Sequence, residues 1–436
     1  MLINFSVTNF GPIKEQQTLS FEADSSSHLE DYFLIPTKGN LRLLKLGLIY
    51  GANASGKTTV LRALEFLRDL VLEPYTKKTS RFDFKPFLFD PQTPNENTVF
   101  TIEFLQNNIK YFYELELNNE AIIREELFNF NPNRANVFKR TTDVENEYSE
   151  ISFGSKIKKS KAIEKSLTAN TLWNNTVLGG FLKTNVEQNE LKEVTDWFSD
   201  YLKALIYTRT DLEAYVTSQI GQSDIKKEDV VNILKKADLN ISDIIINAEE
   251  KDIPAGVLEI MEKQAGVPKD KLSELKNKGK HTTFDLEFQH TVDENDYTLS
   301  FEDESEGTRR YYGFAGLLSM LVHKSALFSI DELEASLHPD LFTHFILSFL
   351  MNSTKSQLLA TTHNREILSN RDIFRNDAIW ITDKSECCST ELYSLADFDT
   401  SVIRDTSNVY NAYKIGKLGG VPNLGDHYID TENEKD

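Results

Sequence analysis

Gly51-Ala52-Asn53-Ala54-Ser55-Gly56-Lys57-Thr58 follows an apolar run from Leu43 to Tyr50 and precedes a helical pattern, Val60, Leu61, Ala63, Leu64 and Leu67. This is a G-x-x-x-x-G-K-[ST] phosphate loop in the context that gives the motif meaning: a buried strand before it and a helix after it. Gly51 and Gly56 permit the tight turn that aims successive backbone N–H groups at a phosphate, and the new helix adds its positive end. Ala52, Asn53, Ala54, Ser55 and Thr59 complete the cradle. Lys57 can reach the β- and γ-phosphates, and the Thr58 hydroxyl can hold Mg²⁺. Read alone, the loop says that ATP or GTP binds.

The bulk properties narrow the setting. The 436 residues suit one large or two to three ordinary domains. At 40% hydrophobic and 27% charged residues, the composition is that of a soluble globular protein with a sizeable core. An uninterrupted apolar run of the ~18 residues a membrane span needs is missing. The opening Met1-Leu2-Ile3-Asn4-Phe5 enters directly into an alternating strand rather than a signal peptide. Cys387 and Cys388 are adjacent, a poor arrangement for a structural disulfide, and no C-x-x-C pair suggests zinc. The chain is expected in the cytoplasm, away from membranes. A net charge of −20 argues against a protein that coats nucleic acid over its whole surface. Basic stretches at Lys156, Lys158, Lys159, Lys161 and Lys165, and from Lys269 through Lys271, Lys276 and Lys278 to Lys280, leave room for a nucleic-acid groove. Solvated helix faces are the commoner source of such runs.

Along the chain, Leu2–Val7 and Gln17–Phe21 alternate around Gly11-Pro12 as a hairpin or meander would. The helix after the phosphate loop should run to about Leu72. Thr98–Phe104 and Tyr111–Leu117 read as two strands joined by a Gln106-Asn107-Asn108 turn. From Ser155 to about Lys276 the pattern is mostly helical, as in Val194, Trp197, Phe198, Tyr201 and Leu202. Strands return at Thr282–Phe288, paired with Tyr297–Phe301. Helix then alternates with apolar strands at Ala326–Ile330, Leu358–Thr361 and Ala378–Ile381. The acidic stretch from Asp426 to Asp436 should fray.

Four stretches follow the phosphate loop in a fixed order. Glu304-Ser305-Glu306-Gly307-Thr308-Arg309-Arg310 opens a helix with a serine and a small glycine, a second anion-friendly N-terminus. Leu327-Phe328-Ser329-Ile330-Asp331-Glu332 is an apolar strand ending in two acids, with Ser329 less apolar than usual. Asp331 is placed to hold Mg²⁺ or its waters, and Glu332 to polarise an attacking water. Glu334-Ala335-Ser336-Leu337-His338-Pro339 comes directly after. Leu358-Leu359-Ala360-Thr361-Thr362-His363 is another buried strand, ending in a histidine.

Together these motifs resemble the ATP-binding-cassette ATPases, specifically their SMC and RecF-like branch, whose first strand and turn are also similar to Val7-Thr8-Asn9-Phe10-Gly11-Pro12-Ile13. The resemblance implies an α/β fold: an ABC/SMC-type P-loop ATPase head of mixed sheets and helices, carrying an inserted helical lobe. It implies a head split into residues 1–154 and 281–425, a lobe over 155–280 and a flexible tail at 426–436. It implies hydrolysis of ATP with Mg²⁺, sandwiched between two protomers. Ser305, Gly307 and Thr308 would then touch the γ-phosphate across the dimer, Ser336 would lie in the loop crossing the interface, and His363 would sense the γ-phosphate. Gln92, in Asp90-Pro91-Gln92-Thr93-Pro94, is the candidate lid glutamine near the metal. The closing Tyr413-x-x-Gly416-x-x-Gly419-Gly420-Val421-Pro422, with the Glu304–Arg310 and Asp331–Pro339 stretches, narrows the resemblance to stand-alone bacterial ATPases of anti-phage defence. Those called RloA or AbiLi are the most similar, alongside ATPase subunits of OLD-like and PARIS systems. The resemblance implies abortive infection through a separately encoded effector, a TOPRIM-like nuclease of the RloB or AbiLii type.

Blander readings stand beside these. Glu332 could pair with an arginine, Ser305 could be an ordinary helix cap, and His363 a hydrogen-bonded core histidine. His338 beside Pro339 reads as a turn element rather than a metal ligand. Asp397-Phe398-Asp399 has the Asp-x-Asp spacing of a TOPRIM nuclease, but too little chain follows His363 for a nuclease domain, so it reads as a turn. The aromatic residues Trp173, Trp197, Phe198 and Tyr201 are core before they are docking surface. Heptads are missing from the 155–280 stretch, which suits a compact lobe rather than coiled-coil arms. A RecF-like ATPase acting directly on DNA and a nucleotide-binding scaffold with little turnover remain as alternatives. A transporter motor fits the opening strand and Ser-Leu-His-Pro poorly.

Overall fold

The computed structural model describes residues 1–155, 161–252, 280–398 and 409–422. The side chains of Lys280, His281 and Thr282 are outside that description, as are Lys156, Lys158, Lys159, Lys269, Lys271, Lys276 and Lys278, Asp399 and the acidic end of the chain. The chain forms two compact units. One comprises Met1–Thr208, Ser325–Leu333 and the chain from Ser353 onward; the other comprises Arg209–Lys324 and Glu334–Asn352.

Among the described residues the first unit holds two large sheets and a two-stranded one, Leu34–Ile35 with Leu43–Leu44. An antiparallel sheet of seven strands among the described residues runs in the order Tyr148–Phe153, Arg134–Asp143, Ile122–Phe130, Ile109–Leu117, Thr98–Gln106, Leu2–Thr8, Gln17–Ser20. The expected hairpins are there. Phe5 faces Leu19, and Ile102 faces Tyr113 across a two-residue turn in which Asn107 and Asn108 both take left-handed φ, 51° and 64°. Such a turn matches the twist of the flanking strands.

The second sheet positions the candidate site. Its order is Leu327–Ile330, Gln357–Thr361, Leu46–Gly51, Ile379–Lys384, Thr390–Ser394, parallel except for the last strand. Leu327 to Ile330 and Gln357 to Thr361 are buried throughout, as strands of a covered parallel sheet are. The Gln357–Thr361 strand, with its following histidine, lies between the phosphate-loop strand and the acid-bearing strand. An amide side chain stitches the two sheets together: Gln357 accepts the Leu2 N–H at 2.7 Å and donates to the carbonyls of Leu2 and Leu44.

The helix after the phosphate loop covers Lys57–Leu72 and buries Val60, Leu61, Ala63, Leu64, Leu67, Leu70 and Val71. It stops before Pro74, which disfavours helical backbone at Glu73. Phe66 on this helix packs against Phe10, Phe84 and Phe100, with ring centroids 5.3 to 5.8 Å apart. Trp197 stacks on Phe104 at 4.2 Å, and both Trp197 and Phe198 are buried, as the core reading of those aromatics has it.

The 155–280 stretch differs from a continuous helical block. Lys161–Asn170, Val177–Leu182 and Asn189–Asp196 are helices, and Trp197–Tyr201 is a π-helical turn, all within the first unit. Leu202–Ile206 then runs alongside the acid-bearing strand: the Lys203 and Ile206 N–H groups donate to the carbonyls of Leu327 and Ser329, both at 2.9 Å. That edge strand would otherwise leave its backbone groups unpaired. Ile241–Asp252, where helix was expected, is a strand paired with Lys280–Val292, which in turn pairs with Asn295–Ser300. The run Ile244-Ile245-Ile246 is β-branched and suits a strand once a partner is present.

In the second unit, Leu212–Gly221 and Lys227–Lys236 lie beside the long Glu306–His323 helix, as does Pro339–Asn352. Gly316 makes the close approach possible, since a Cβ there would fall 2.3 Å from Val216.

Candidate nucleotide-binding site

The phosphate loop is a tightly braced turn between the central strand Leu46–Gly51 and the Lys57–Leu72 helix. Gly56 has φ 104°, and a Cβ on it would fall 2.2 Å from the Thr390 hydroxyl; a Cβ on Gly51 would fall 2.3 Å from that of Thr382. These two threonines are braces. Thr382 shares a 2.6 Å hydrogen bond with Ser55, and Thr390 donates to the Ser55 carbonyl at 2.9 Å. Ala54 takes a left-handed φ of 60°, and Asn53 and Ala54 are exposed at the tip. Thr59 donates its N–H to Gly56, and its methyl lies against Gly11.

Lys57 is buried, and its ammonium donates to the carbonyls of Gly51 and Ala52 at 2.9 and 3.0 Å. The cation is therefore held over the loop that phosphate oxygens would enter. Thr58 donates its hydroxyl to the Asp331 carboxylate, 3.0 and 3.1 Å from its two oxygens. These are hard oxygen donors of the kind Mg²⁺ takes, so the residues present fit a nucleotide–Mg²⁺ pair.

Asp331 ends the Leu327–Ile330 strand. Its N–H donates to the Ile206 carbonyl at 2.9 Å, and its carboxylate also accepts the Thr361 hydroxyl at 2.7 Å. Glu332 is exposed and has a left-handed φ of 52°, a costly backbone for a non-glycine residue and one that clusters at functional sites. Thr361 fixes that turn, since its hydroxyl takes the Glu332 N–H and its carbonyl the Leu333 N–H. His363 stands exposed just past the same strand, where Thr362 donates to the Ile49 carbonyl. Lys57, Thr58, Asp331, Glu332 and the start of the His363 turn thus gather at the C-terminal ends of three neighbouring strands.

Gln92 begins a short 3-10 turn. Asp90 accepts the N–H groups of Gln92 and Thr93 and pairs with Lys14 at 3.0 Å, and these donors hold its carboxyl well below the usual range. Asn9, buried with φ 54°, donates to the Thr93 and Glu96 carbonyls and accepts the Phe87 N–H, tying this loop to the first strand. The Gln92 side chain is exposed.

The second unit carries the other candidates. Ser305 caps the Glu306–His323 helix, its hydroxyl accepting the Thr308 N–H at 3.1 Å, and Ser305 itself is exposed. Ser336, with φ 61°, donates to Glu306 at 2.6 Å, and its carbonyl lies 3.4 Å from where a Cβ on Gly307 would be. Ser305, Gly307 and Ser336 therefore form one exposed corner of that unit. His338 accepts the Asp340 N–H and its carbonyl accepts that of Phe342, the part of a helix-start element. Asp397 closes a capping box with Ser394 on a short turn.

Sequence reasoning missed Thr361, Thr382 and Thr390. Threonine is ordinary in strands, and nothing local marks one whose hydroxyl faces a phosphate loop.

A phosphate loop on the central strand of a parallel sheet, with an acid from another strand against its threonine, defines a P-loop nucleotide-binding domain. The chain belongs to the family described as AAA domain, putative AbiEii toxin, Type IV TA system, whose model matches residues 48–369. No curated protein matches the chain at a significant level. Among solved structures it is similar to the SMC head domain from Thermotoga maritima, at 11% identity and a TM-score of 0.39, covering 90% of this chain and 98% of that one. It is also similar to the SmcHead bound to the C-winged helix domain of ScpA, at 10% identity and a TM-score of 0.43, covering 90% and 97%. A third is the Smc head domain with an extended coiled coil bound to the C-terminal domain of ScpA, derived from Pyrococcus furiosus: 12% identity, a TM-score of 0.41, and 96% and 98% coverage. Likeness this distant says nothing of what the present chain binds. No helix among the described residues is long and apolar enough to cross a membrane.

Proposed function

We propose that this chain is an ATP-hydrolysing switch that closes with a second copy of itself around ATP and gates a separately encoded effector nuclease in anti-phage defence. The observation that carries the reading is the Thr58–Asp331 pair, a hydroxyl from the helix after the phosphate loop and a carboxylate from the end of a strand not adjacent to the loop's own. Lys57 would exchange loop carbonyls for phosphate oxygens, and the loop from Gly51 to Thr59 would hold the remaining ones. Mg²⁺, when bound by Thr58 and Asp331, offsets phosphate charge. Glu332 would orient the attacking water, His363 would sense the γ-phosphate, and Gln92 would serve as the lid glutamine. Ser305, Gly307, Thr308 and Ser336 would complete the site on the partner protomer; the exposure of Ser305 and Ser336 at one corner supports that use. The partner protomer's contacts to the γ-phosphate exist only in the closed pair, so hydrolysis removes the differential binding free energy that holds it closed.

In this reading residues 1–154 and 281–425 make up the ATPase head, 155–280 serve partner docking or sensing, and the protein works in the cytoplasm. The family's description as a putative toxin of a type IV toxin–antitoxin system supports a role alongside a second gene product. The resemblance to RloA and AbiLi makes a TOPRIM-like nuclease of the RloB or AbiLii type the expected effector.

Two variants test the reading. Lys57→Ala should abolish ATP binding, whereas Glu332→Gln should bind ATP, turn over at least roughly 100-fold more slowly and accumulate closed dimers on size-exclusion chromatography. Wild-type turnover by the Glu332→Gln protein would defeat the assignment. Co-purification with the product of the adjacent gene tests the gating: a nuclease indifferent to ATP would remove it.

A further inference from the structure

The closing Tyr-Gly motif, left without a role by the reading above, lies directly against the phosphate loop. Tyr413 is only 4% exposed, and its hydroxyl donates to the Gly420 carbonyl at 2.8 Å. Burial pushes the phenol up to about 12, so it stays protonated and able to donate at neutral pH. The Tyr413 ring meets Tyr50 edge-on, centroids 5.8 Å apart, and the Arg365 guanidinium sits 5.5 Å from its centroid. Arg365 is two residues beyond His363. The two glycines let the segment come this close. Gly419 and Gly420 have φ of 70° and 64°; a Cβ on Gly420 would lie 2.6 Å from Ile381 and 3.4 Å from the Gly51 Cα, and one on Gly419 would lie 2.2 Å from the Tyr393 hydroxyl. Tyr393 in turn donates to the Leu418 carbonyl at 3.0 Å.

We propose that Tyr413 is a positioning residue for the phosphate loop, its hydroxyl holding Gly420 against Gly51 and its ring packing between Tyr50 at the loop's entry and Arg365 of the His363 turn. The segment Val409–Pro422 is then a strap that sets the entry of the phosphate loop without touching the nucleotide. Gly51 begins the turn on which every later N–H of the cradle depends, so a shift there misaims the whole set of donors. The proposal rests on the nucleotide-binding reading.

The test is Tyr413→Phe, which keeps the ring and both aromatic contacts and removes only the hydroxyl that holds Gly420. In the full-length protein, ATP affinity should fall roughly tenfold, the scale of one lost buried hydrogen bond. KM should rise with it, kcat at saturating ATP should change less than about threefold, and the melting temperature should move little. Gly420→Ala should give the same KM signature, because its Cβ would press on the Gly420–Gly51 contact directly. A fall in melting temperature with unchanged ATP affinity and KM in both variants would make the strap merely structural and overturn the proposal. Lys57→Ala is the control that separates the two claims. If wild type binds ATP, Lys57→Ala does not, and Tyr413→Phe binds like wild type, the strap falls and the site stands. If wild type itself binds no ATP, both fall.

Discussion

Thr361 donates its hydroxyl to Asp331 at 2.7 Å and accepts the Glu332 N–H at 2.8 Å, so one side chain on the intervening strand holds both acids of the neighbouring one. A hydroxyl can do this because it carries one donor and two acceptor positions. It locks the carboxylate that faces Thr58 and the backbone turn that presents Glu332 into a single arrangement.

Thr361→Val keeps the shape and strand preference of the residue and removes both bonds. Stability should fall by about 1–2 kcal/mol, chiefly from the orphaned Glu332 N–H. Phosphate release at saturating ATP should fall by roughly 10- to 100-fold while ATP affinity stays within about threefold, because the loop donors are untouched. Unchanged turnover would mean the two acids keep their places without it.

Asp331→Asn removes the carboxylate charge that Thr58 now faces. The Mg²⁺ concentration needed for half-maximal turnover should rise at least about tenfold, while nucleotide binding measured without Mg²⁺ stays near wild type. An unshifted Mg²⁺ dependence would take Asp331 out of the metal site.

If the site is shared between protomers, two dead variants should rescue each other. Lys57→Ala spoils one face and Ser305→Arg the other, and each should be inactive alone. In an equal mixture about half the dimers are mixed and each keeps one whole site, so roughly a quarter of wild-type turnover should return. No recovery on mixing would point to a site complete within one chain.

Asp69 sits near the C-terminal end of the Lys57–Leu72 helix, where a negative charge opposes the dipole. Burial raises its pKa to about 6 despite the pairing with Arg68, and Glu65 and Glu73 add to the rise. A carboxyl whose folded pKa lies above its unfolded value costs stability as pH climbs from about 4 to 6. Asp69→Asn should therefore melt like wild type below about pH 4 and above wild type at pH 7. With the side chain 45% exposed, the gain should stay under about 1 kcal/mol. Equal melting temperatures at both pH values would refute the shift.

Much of the architecture is local and was readable. Alternation in Thr98–Gln106 and Ile109–Leu117, the asparagine turn between them, and the amphipathic run from Val60 to Val71 each encode their own geometry within a few residues. The phosphate loop is readable for the same reason, since eight consecutive residues carry its chemistry. Ile241–Asp252 was not. Its pairing with Lys280–Val292 spans a long separation in sequence, and twelve residues cannot show whether a partner strand exists.

By itself the sequence marked Gly51–Thr58 as a phosphate loop, and it put Ser305, Gly307, Asp331, Glu332 and His363 in an order that resembles a two-protomer ATP clamp. The tertiary structure decided which strand lies beside which: the strand leading to His363 separates the loop from the acids and supplies Thr361 to hold them. It also decided that Leu202–Ile206 closes the edge of the sheet and that Tyr413 packs against Tyr50 at the entry to the phosphate loop. Motifs are legible because their chemistry is carried by neighbours in the chain. Braces such as Thr361, Thr382 and Tyr413 are ordinary residues until folding brings their hydroxyls within hydrogen-bonding distance of groups that lie up to hundreds of residues away.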